Sequence, residues 1–251
     1  DFHNEREVEQ AMRIVEEYQT TDSADREVDE IIRIVEESVR PQNPTSPINP
    51  TSPTLPVNSV TPTSPIKPIP RIPLEEAAHD RILIFDGAMG TSIQALHLTG
   101  TRGSNEYLCI ERPEVISEIY RKFLAAGSDI ISTDTFNAQS LSLQALGLAQ
   151  EARRINVEAA RMARQLADAF TLTNPKKPRY VLGGMGPTLE TISMEGAHVT
   201  FEELRDIYQE QAEGLLEGGV DGLILETIFD CENARAGIEA CQRAMQKMQR
   251  Q

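Results

Sequence analysis

The stretch RILIFDGAMG at residues 81–90 joins a short apolar run to a glycine-rich turn, and similar stretches recur three more times. The later apolar runs, each followed by a polar or glycine-rich turn, lie at residues 128–137, 179–188 and 220–230. Stretches with helical periodicity separate or follow them, at residues 112–127, 149–170, 200–219 and 232–249. Apolar strands that alternate with helices are typical of a parallel sheet covered by helices. This α/β pattern fits both doubly wound and barrel folds.

The informative polar residues gather at the C-terminal ends of the four predicted strands. These ends have the sequences DGAMGT (86–91), TDTFN (133–137), GGMGPT (183–188) and ETIFD (226–230). In a barrel the loops at this end of the strands converge and carry the active site. The glycines allow a ligand to approach the backbone, so the pattern favours a binding site. No GxGxxG or GxxxxGK[ST] motif occurs in the sequence, which argues against a nucleotide site.

Taken together, these segments resemble the homocysteine S-methyltransferase family, most closely the N-terminal homocysteine-binding module of cobalamin-dependent methionine synthases. The resemblance extends from about residue 81 to residue 245. It rests on FDGAMGTSIQ (85–94), GSNEYL (103–108), RPEVISEIYRKFLAAGSDIISTDTF (112–136), GPT (186–188) and EGGVDGLILETIFDCENA (217–234). It implies a (β/α)8 TIM barrel, of which about the first four β/α units are expected in this chain.

The resemblance also implies a chemistry. In this family the barrel binds homocysteine, and a zinc ion held by three cysteines ionises the substrate thiol. Such ionisation is needed because a free thiol has a pKa of ~8.5 and is mostly protonated at neutral pH. The thiolate then attacks a methyl group, which methionine synthases carry on cobalamin and replenish from methyltetrahydrofolate. Homocysteine, and folate- and cobalamin-binding modules of a full-length protein, are therefore the expected partners.

The resemblance assigns substrate-binding roles to residues at the strand ends. Asp86 and Glu226 are expected to face the ammonium group of the amino acid. A second set of residues is expected to supply the backbone and apolar wall of the pocket, namely Gly87, Ala88 and Met89. Thr135 and Asn137 are further candidates for lining the same pocket.

The cysteines depart from the family pattern. The family's zinc ligands lie in a G-x-N-C segment and a Cys-Cys pair, and neither occurs in this sequence. Cys231 and Cys241 lie on one predicted helix about 15 Å apart, too far to share a metal ion, and Cys109 follows a loop. The histidines at 79, 97 and 198 show no paired ligand spacing. We therefore expect a truncated barrel with no metal ligands or catalytic residues of its own, inactive when alone.

Two segments precede the predicted half-barrel, which we place at residues 74–251. Residues 1–40 contain an acidic tandem repeat, REVEQAMRIVEEYQ from Arg6 and REVDEIIRIVEESV from Arg26. The repeat is either a marginal helical hairpin, a disordered extension or a partner-binding helix pair, because helices this short need a surface on which to bury their apolar stripe. Residues 41–73 are rich in Pro, Ser and Thr and predict an extended linker.

Composition excludes several classes of function. The formal net charge is −15 at pH 7, whereas nucleic-acid and anionic-membrane surfaces need a basic face. No apolar run approaches the ~20 residues of a membrane helix. With no secretory signal pattern at residue 1 and an odd number of cysteines, a cytoplasmic location fits best.

Two alternatives remain open: a homocysteine methyltransferase that uses betaine or S-methylmethionine, and a non-catalytic half-barrel interaction protein.

Overall fold

The computed structural model describes residues 71–98 and 101–248. Three parallel strands form a sheet in the order β1-β2-β3: β1 (Ile130–Ser132), β2 (Tyr180–Met185) and β3 (Gly222–Leu225). The helices, in chain order, are α1 (Leu74–Asp80), α2 (Met89–Gln94), α3 (Leu108–Glu111), α4 (Pro113–Ala126), α5 (Ser140–Gln144), α6 (Ala152–Thr173), α7 (Phe201–Gly218) and α8 (Cys231–Lys247). A short 3-10 helix, Ala149–Glu151, leads into α6.

The segment at residues 82–85 differs in structure from the buried strand that the sequence predicts. It forms a single parallel bridge between Phe85 and Ile130, beside hydrogen bonds from Asp86 N to Ile130 O (2.9 Å) and from Ile130 N to Ile84 O (3.1 Å). The side chain of Ile82 is 85% exposed and that of Ile84 is 56% exposed. The segment contacts β1 on one side, and in the described part of the chain no strand pairs with its other side. Its burial was therefore predicted wrongly, although its place beside β1 fits a parallel sheet.

The four long helices α4, α6, α7 and α8 were predicted within a few residues, and the ends of two of them carry clear local signals, whereas the short helices α1, α2, α3 and α5 were not predicted. Helix α7 begins with a complete capping box, in which Glu203 N donates to Thr200 Oγ1 (3.2 Å) and Thr200 N donates to Glu203 Oε2 (2.8 Å). Helix α4 has Pro113 at its first position and ends at Gly127, whose φ of 108° lies in the left-handed region.

The core lies between the sheet and the helices. Ile131, Val181 and Met185 of β1 and β2 are completely buried and belong to the same apolar cluster as residues of α4, α6, α7 and α8. Burial of each such side chain contributes roughly 1.5–3 kcal/mol. Helices α6 and α7 approach closely at Gly218, where an added Cβ would lie 2.4 Å from the Cβ of Ala160.

Ion pairs occupy the N-terminal end of the sheet. Arg164 pairs with Asp168 (2.7 Å) and Asp221 (2.6 Å), and Arg71 pairs with the same two aspartates. Tyr180 Oη donates to the carbonyl of Ile72 (2.9 Å). Residues 71–73, the end of the predicted linker, thus contact this end of the sheet, which leaves the opposite end for a ligand.

The acidic repeat and the linker up to residue 70 lie outside the described residues, so the proposed division into three segments stays a prediction. Within the described ranges, no helix has the length and apolar character needed to cross a bilayer.

Candidate functional site

Asp86 and Glu226 lie at the C-terminal end of the sheet. Asp86 directly follows the Phe85 bridge, and its Oδ2 accepts a hydrogen bond from Ser132 N (2.9 Å) at the end of β1. Glu226 directly follows β3, and its backbone N donates to Met185 O (3.1 Å) at the end of β2. Both side chains are half-buried.

Burial raises the pKa of both carboxyl groups. Burial raises the pKa of Asp86 to about 6, the hydrogen bond from Ser132 opposes this shift, and the negative charge of Glu226 adds to it. Burial likewise raises the pKa of Glu226. Each carboxylate has lost part of its hydration without full compensation, so a cation placed at this edge would stabilise both.

Gly184 in the middle strand makes room for the Glu226 carboxylate. A Cβ built on Gly184 would lie 3.2 Å from Glu226 Oε1, 3.4 Å from the Thr133 carbonyl oxygen and 3.9 Å from Thr135 Oγ1. The absence of a side chain therefore lets Glu226 lie close above the backbone of β2.

Thr135 lies beneath this position and is completely buried. Its Oγ1 donates to the Gly184 carbonyl (2.7 Å) and lies 2.5 Å from Thr133 Oγ1, which accepts from Gly184 N (3.0 Å). The Thr135 carbonyl accepts from Gln211 Nε2 of α7 (2.8 Å). The Thr135 hydroxyl thus binds the backbone of β2, and this residue forms the floor of the site.

The other predicted residues lie on the segments that follow residues 82–85 and β1. Gly87 packs so closely against the ring of Phe123 that an added Cβ would lie 2.7 Å from Cε1. Ala88 precedes α2, and its carbonyl accepts from Ser92 Oγ (2.9 Å). Met89 is half-buried and packs against the main core. The side chain of Asn137 is exposed at the rim, and its backbone N donates to Glu106 Oε1 (3.0 Å).

Sequence reasoning missed Thr133, Gln211, Glu106 and Thr227 as contributors to this region. Gln211 is 1% exposed, and a polar residue among the apolar positions of α7 could have indicated its role. Thr227 has a φ of 61°, an uncommon conformation for a β-branched residue, immediately after Glu226. No local sequence signal indicates that conformation.

The described residues do not fit a zinc site. Nowhere in residues 71–98 and 101–248 do three or more His, Cys, Asp or Glu side chains come close enough together to hold a metal ion. Cys241 is buried with its Sγ 3.8 Å from Met185 Sδ, and burial raises the pKa of its thiol to about 11. Cys109 is buried against the Ile155 carbonyl, and Cys231 is exposed at the start of α8.

Comparison with known proteins shows the family. The sequence model described as Homocysteine S-methyltransferase matches residues 83–249. The chain belongs to the homocysteine S-methyltransferase family. This range contains every predicted site residue, from Asp86 to Glu226.

The fold is similar to that of solved homocysteine methyltransferases. The metallated form of the homocysteine methyltransferase MmuM from Escherichia coli is 23% identical, with a TM-score of 0.59, over 71% of this chain and 64% of that chain. The oxidized form is 22% identical, with a TM-score of 0.57, over 72% of this chain and 63% of that chain. This chain therefore spans less than two thirds of the length of these proteins. Three parallel strands with their helices agree with part of a homocysteine methyltransferase barrel, which confirms the predicted α/β, barrel-type fold at that level.

Proposed function

We propose that this chain forms the homocysteine-binding part of a homocysteine S-methyltransferase of the methionine synthase type. The proposal assigns amino-acid binding to the described residues. It assigns them no step of the methyl transfer, because they do not fit the zinc site on which that transfer depends in the family.

The observation that carries the proposal is the convergence of Asp86 and Glu226 at one edge of the sheet. Asp86 accepts a hydrogen bond from Ser132 N at the end of β1, and Glu226, which follows β3, is bonded through its backbone N to the Met185 carbonyl at the end of β2. Burial, and to a smaller extent the charge of Glu226, raises the pKa of Asp86 to about 6. An ammonium group bound between them would relieve this repulsion. Hydrogen bonds between an ammonium and a carboxylate are roughly twice as strong as neutral ones.

The surroundings suit a small amino acid. Gly184 makes room for the Glu226 carboxylate above the backbone of β2, and the half-buried, apolar Met89 lies three residues after Asp86 in sequence. We propose that the ammonium group lies between the carboxylates and that the thiol-bearing side chain points away from them. Binding of the cation would lower the pKa of Asp86 and keep it ionised.

The proposal also includes the identity of the methyl donor. The combination of DGAMGT, TDTF, GPT and ETIFD resembles methionine synthases most closely, which favours a cobalamin-carried methyl group replenished from a folate. The alternatives are betaine or S-methylmethionine as donor on the same fold, and an interaction protein without catalytic function. Family membership supports all three transferase types equally.

The test is calorimetric titration of the full chain with reduced L-homocysteine. Asp86→Asn and Glu226→Gln should each weaken binding by about tenfold or more, because each removes one charged partner of the ammonium. Glu118→Gln, at an exposed acid on α4, is the matched control and should leave binding unchanged. As a second probe, 4-mercaptobutyrate lacks the ammonium group and should bind the wild-type chain no better than it binds either variant. Equal homocysteine affinity of all four proteins would refute the proposal.

A further inference from the structure

Two buried acids lie behind the candidate site. Glu106 precedes α3 and is 6% exposed, and Asp134 follows β1 and is 7% exposed. Neither belongs to the residues assigned to the amino acid. Buried carboxyl groups are costly unless their charge is neutralised or their oxygens are hydrogen-bonded, so the pair requires an explanation.

Both carboxylate oxygens of Glu106 are used. Oε1 accepts from the backbone N of Asn137 (3.0 Å), and Oε2 accepts from Ser104 Oγ (2.7 Å). Ser104 Oγ in turn accepts from Tyr107 N (3.2 Å), which fixes the local turn that carries Glu106. The side chain therefore links the turn before α3 to the turn after β1 through a hydrogen bond.

The turn at residues 134–137 is held by partners from other elements as well. Asp134 N donates to Tyr120 Oη of α4 (2.8 Å), and Gln211 Nε2 of α7 donates to the Thr135 carbonyl (2.8 Å). Gly186 N donates to the carbonyl of the intervening residue, Phe136 (3.0 Å). The backbone N of Asn137 donates to Glu106, so this hydrogen bond holds a residue that is predicted to line the candidate site.

Asp134 complements Glu106 electrostatically. Burial, and then the negative charge of Glu106, raise the pKa of Asp134 to about 8. At neutral pH Asp134 is therefore mostly protonated, whereas Glu106 accepts the Asn137 amide. Asp134 Oδ2 is buried without a hydrogen-bond partner in the structure.

The other titratable groups around the pair come from three helices. Burial, and to a smaller extent Asp134 in its ionised form, raises the pKa of Cys109 of α3 and of Tyr120 of α4, so both are neutral near pH 7. Glu158 and Arg154 of α6 act on Cys109 with opposite signs.

We propose that Glu106 is a positioning residue, whose buried carboxylate holds the Thr135–Asn137 turn in the conformation that completes the homocysteine pocket. The inference rests on the proposed homocysteine site, but the restraint on the turn is measurable without any ligand.

The experiment is backbone amide NMR of the isotopically labelled full chain, combined with homocysteine titration. An amide bonded to a carboxylate resonates downfield, so the Asn137 proton should move upfield in Glu106→Gln and further in Glu106→Ala. Homocysteine affinity should fall in the same order, by about threefold and about tenfold or more. Glu114→Gln, at an exposed acid on α4, should change neither readout.

A pH titration separates positioning from a general loss of packing. As Asp134 ionises near pH 8, the Asn137 amide signal should shift in the wild type, because a negative charge then develops beside the Glu106 side chain that accepts this amide. Asp134→Asn should remove this titration while keeping the downfield position. If Glu106→Ala fails to fold, Glu106→Gln and Asp134→Asn supply the same readouts.

Each of three results would overturn a different part of the proposal. An Asn137 signal that does not respond to Glu106→Gln overturns the proposed restraint. Homocysteine binding that is equal in the wild type, Glu106→Gln and Glu106→Ala overturns the positioning role while leaving the proposed function intact. If the wild-type chain binds no homocysteine, the proposed function and the pocket role both fail, and the ligand-free spectra then report only whether Glu106 holds the turn.

Discussion

The Glu226 carboxylate lies directly beside Gly184, in space that a side chain on residue 184 would crowd. An added Cβ would approach Glu226 Oε1 to 3.2 Å and the Thr133 carbonyl oxygen to 3.4 Å. Both distances are tight for a methyl group facing an oxygen. The position of one of the two site carboxylates thus depends on a glycine in the neighbouring strand.

We therefore expect Gly184→Ala to displace the Glu226 carboxylate. Homocysteine affinity should fall by about tenfold, and the free energy of unfolding should fall by about 1–2 kcal/mol because of crowding. Gly90→Ala is the matched control. Gly90 lies in helix α2, and a Cβ built on it would meet only Asn105 Nδ2, at 3.9 Å. Calorimetric titration and urea unfolding measure the two effects. Equal affinity of both alanine variants would contradict the prediction.

Asp86 should make stability depend on pH. Its pKa is raised from 3.8 in the reference state to about 6 in the folded protein, so folding disfavours the ionised form. The free energy of unfolding should therefore fall as pH rises from about 4 to about 6, by at most about 3 kcal/mol. Asp86→Asn keeps an acceptor for Ser132 N and removes the charge. It should stabilise the ligand-free chain at pH 8 and have little effect at pH 4, as urea unfolding at the two pH values will show.

The edge at residues 82–85 should promote self-association. Ile82 and Ile84 are largely exposed, and the segment pairs only with β1 among the described strands. Unpaired edges with apolar side chains are templates for association, and charged residues block them. Ile82→Lys should therefore shift sedimentation toward the monomer without lowering the unfolding temperature. Leu172→Lys replaces a residue of α6 that is 55% exposed, and this control should leave the sedimentation pattern unchanged.

The metal content of the purified chain is a further prediction. The sequence has three cysteines and four histidines, and those in the described ranges form no metal-binding group. We expect less than 0.1 zinc per chain after dialysis, and no methionine from homocysteine with methylcobalamin, betaine or S-methylmethionine as donor. Elemental analysis and an amino-acid assay provide the measurements. Near-stoichiometric zinc together with methionine formation would refute the prediction.

The success of sequence reasoning depended on whether the decisive interaction was local. The capping box of Thr200 and Glu203 and the glycine at 127 are local signals, and they located the ends of two helices. The positions of Asp86 and Glu226 followed from the rule that parallel strands share one carboxyl edge. These features require only the residue types and their spacing.

The features that were missed depend on tertiary contacts. The exposure of Ile82 and Ile84 reflects what lies beside the segment, and an apolar run alone does not contain that information. The hydrogen bonds between Glu106 and Asn137 and between Gln211 and Thr135 join residues that are distant in sequence. The local sequence around each residue therefore does not indicate which partner it has. The left-handed backbone of Thr227 is also not indicated by its residue type, because β-branched residues rarely adopt a positive φ.

The parallel arrangement of the strands has a kinetic consequence for the pocket. Asp86 precedes β1 and Glu226 follows β3, so every strand must be in register before the two carboxylates meet. Pairings between parallel strands close long loops and form slowly compared with local helices. During synthesis the chain could therefore acquire helices α4 and α6 well before it could retain the amino acid. Homocysteine would then bind only after the last strand has joined, and by mass action it would stabilise the completed sheet over every partly assembled form.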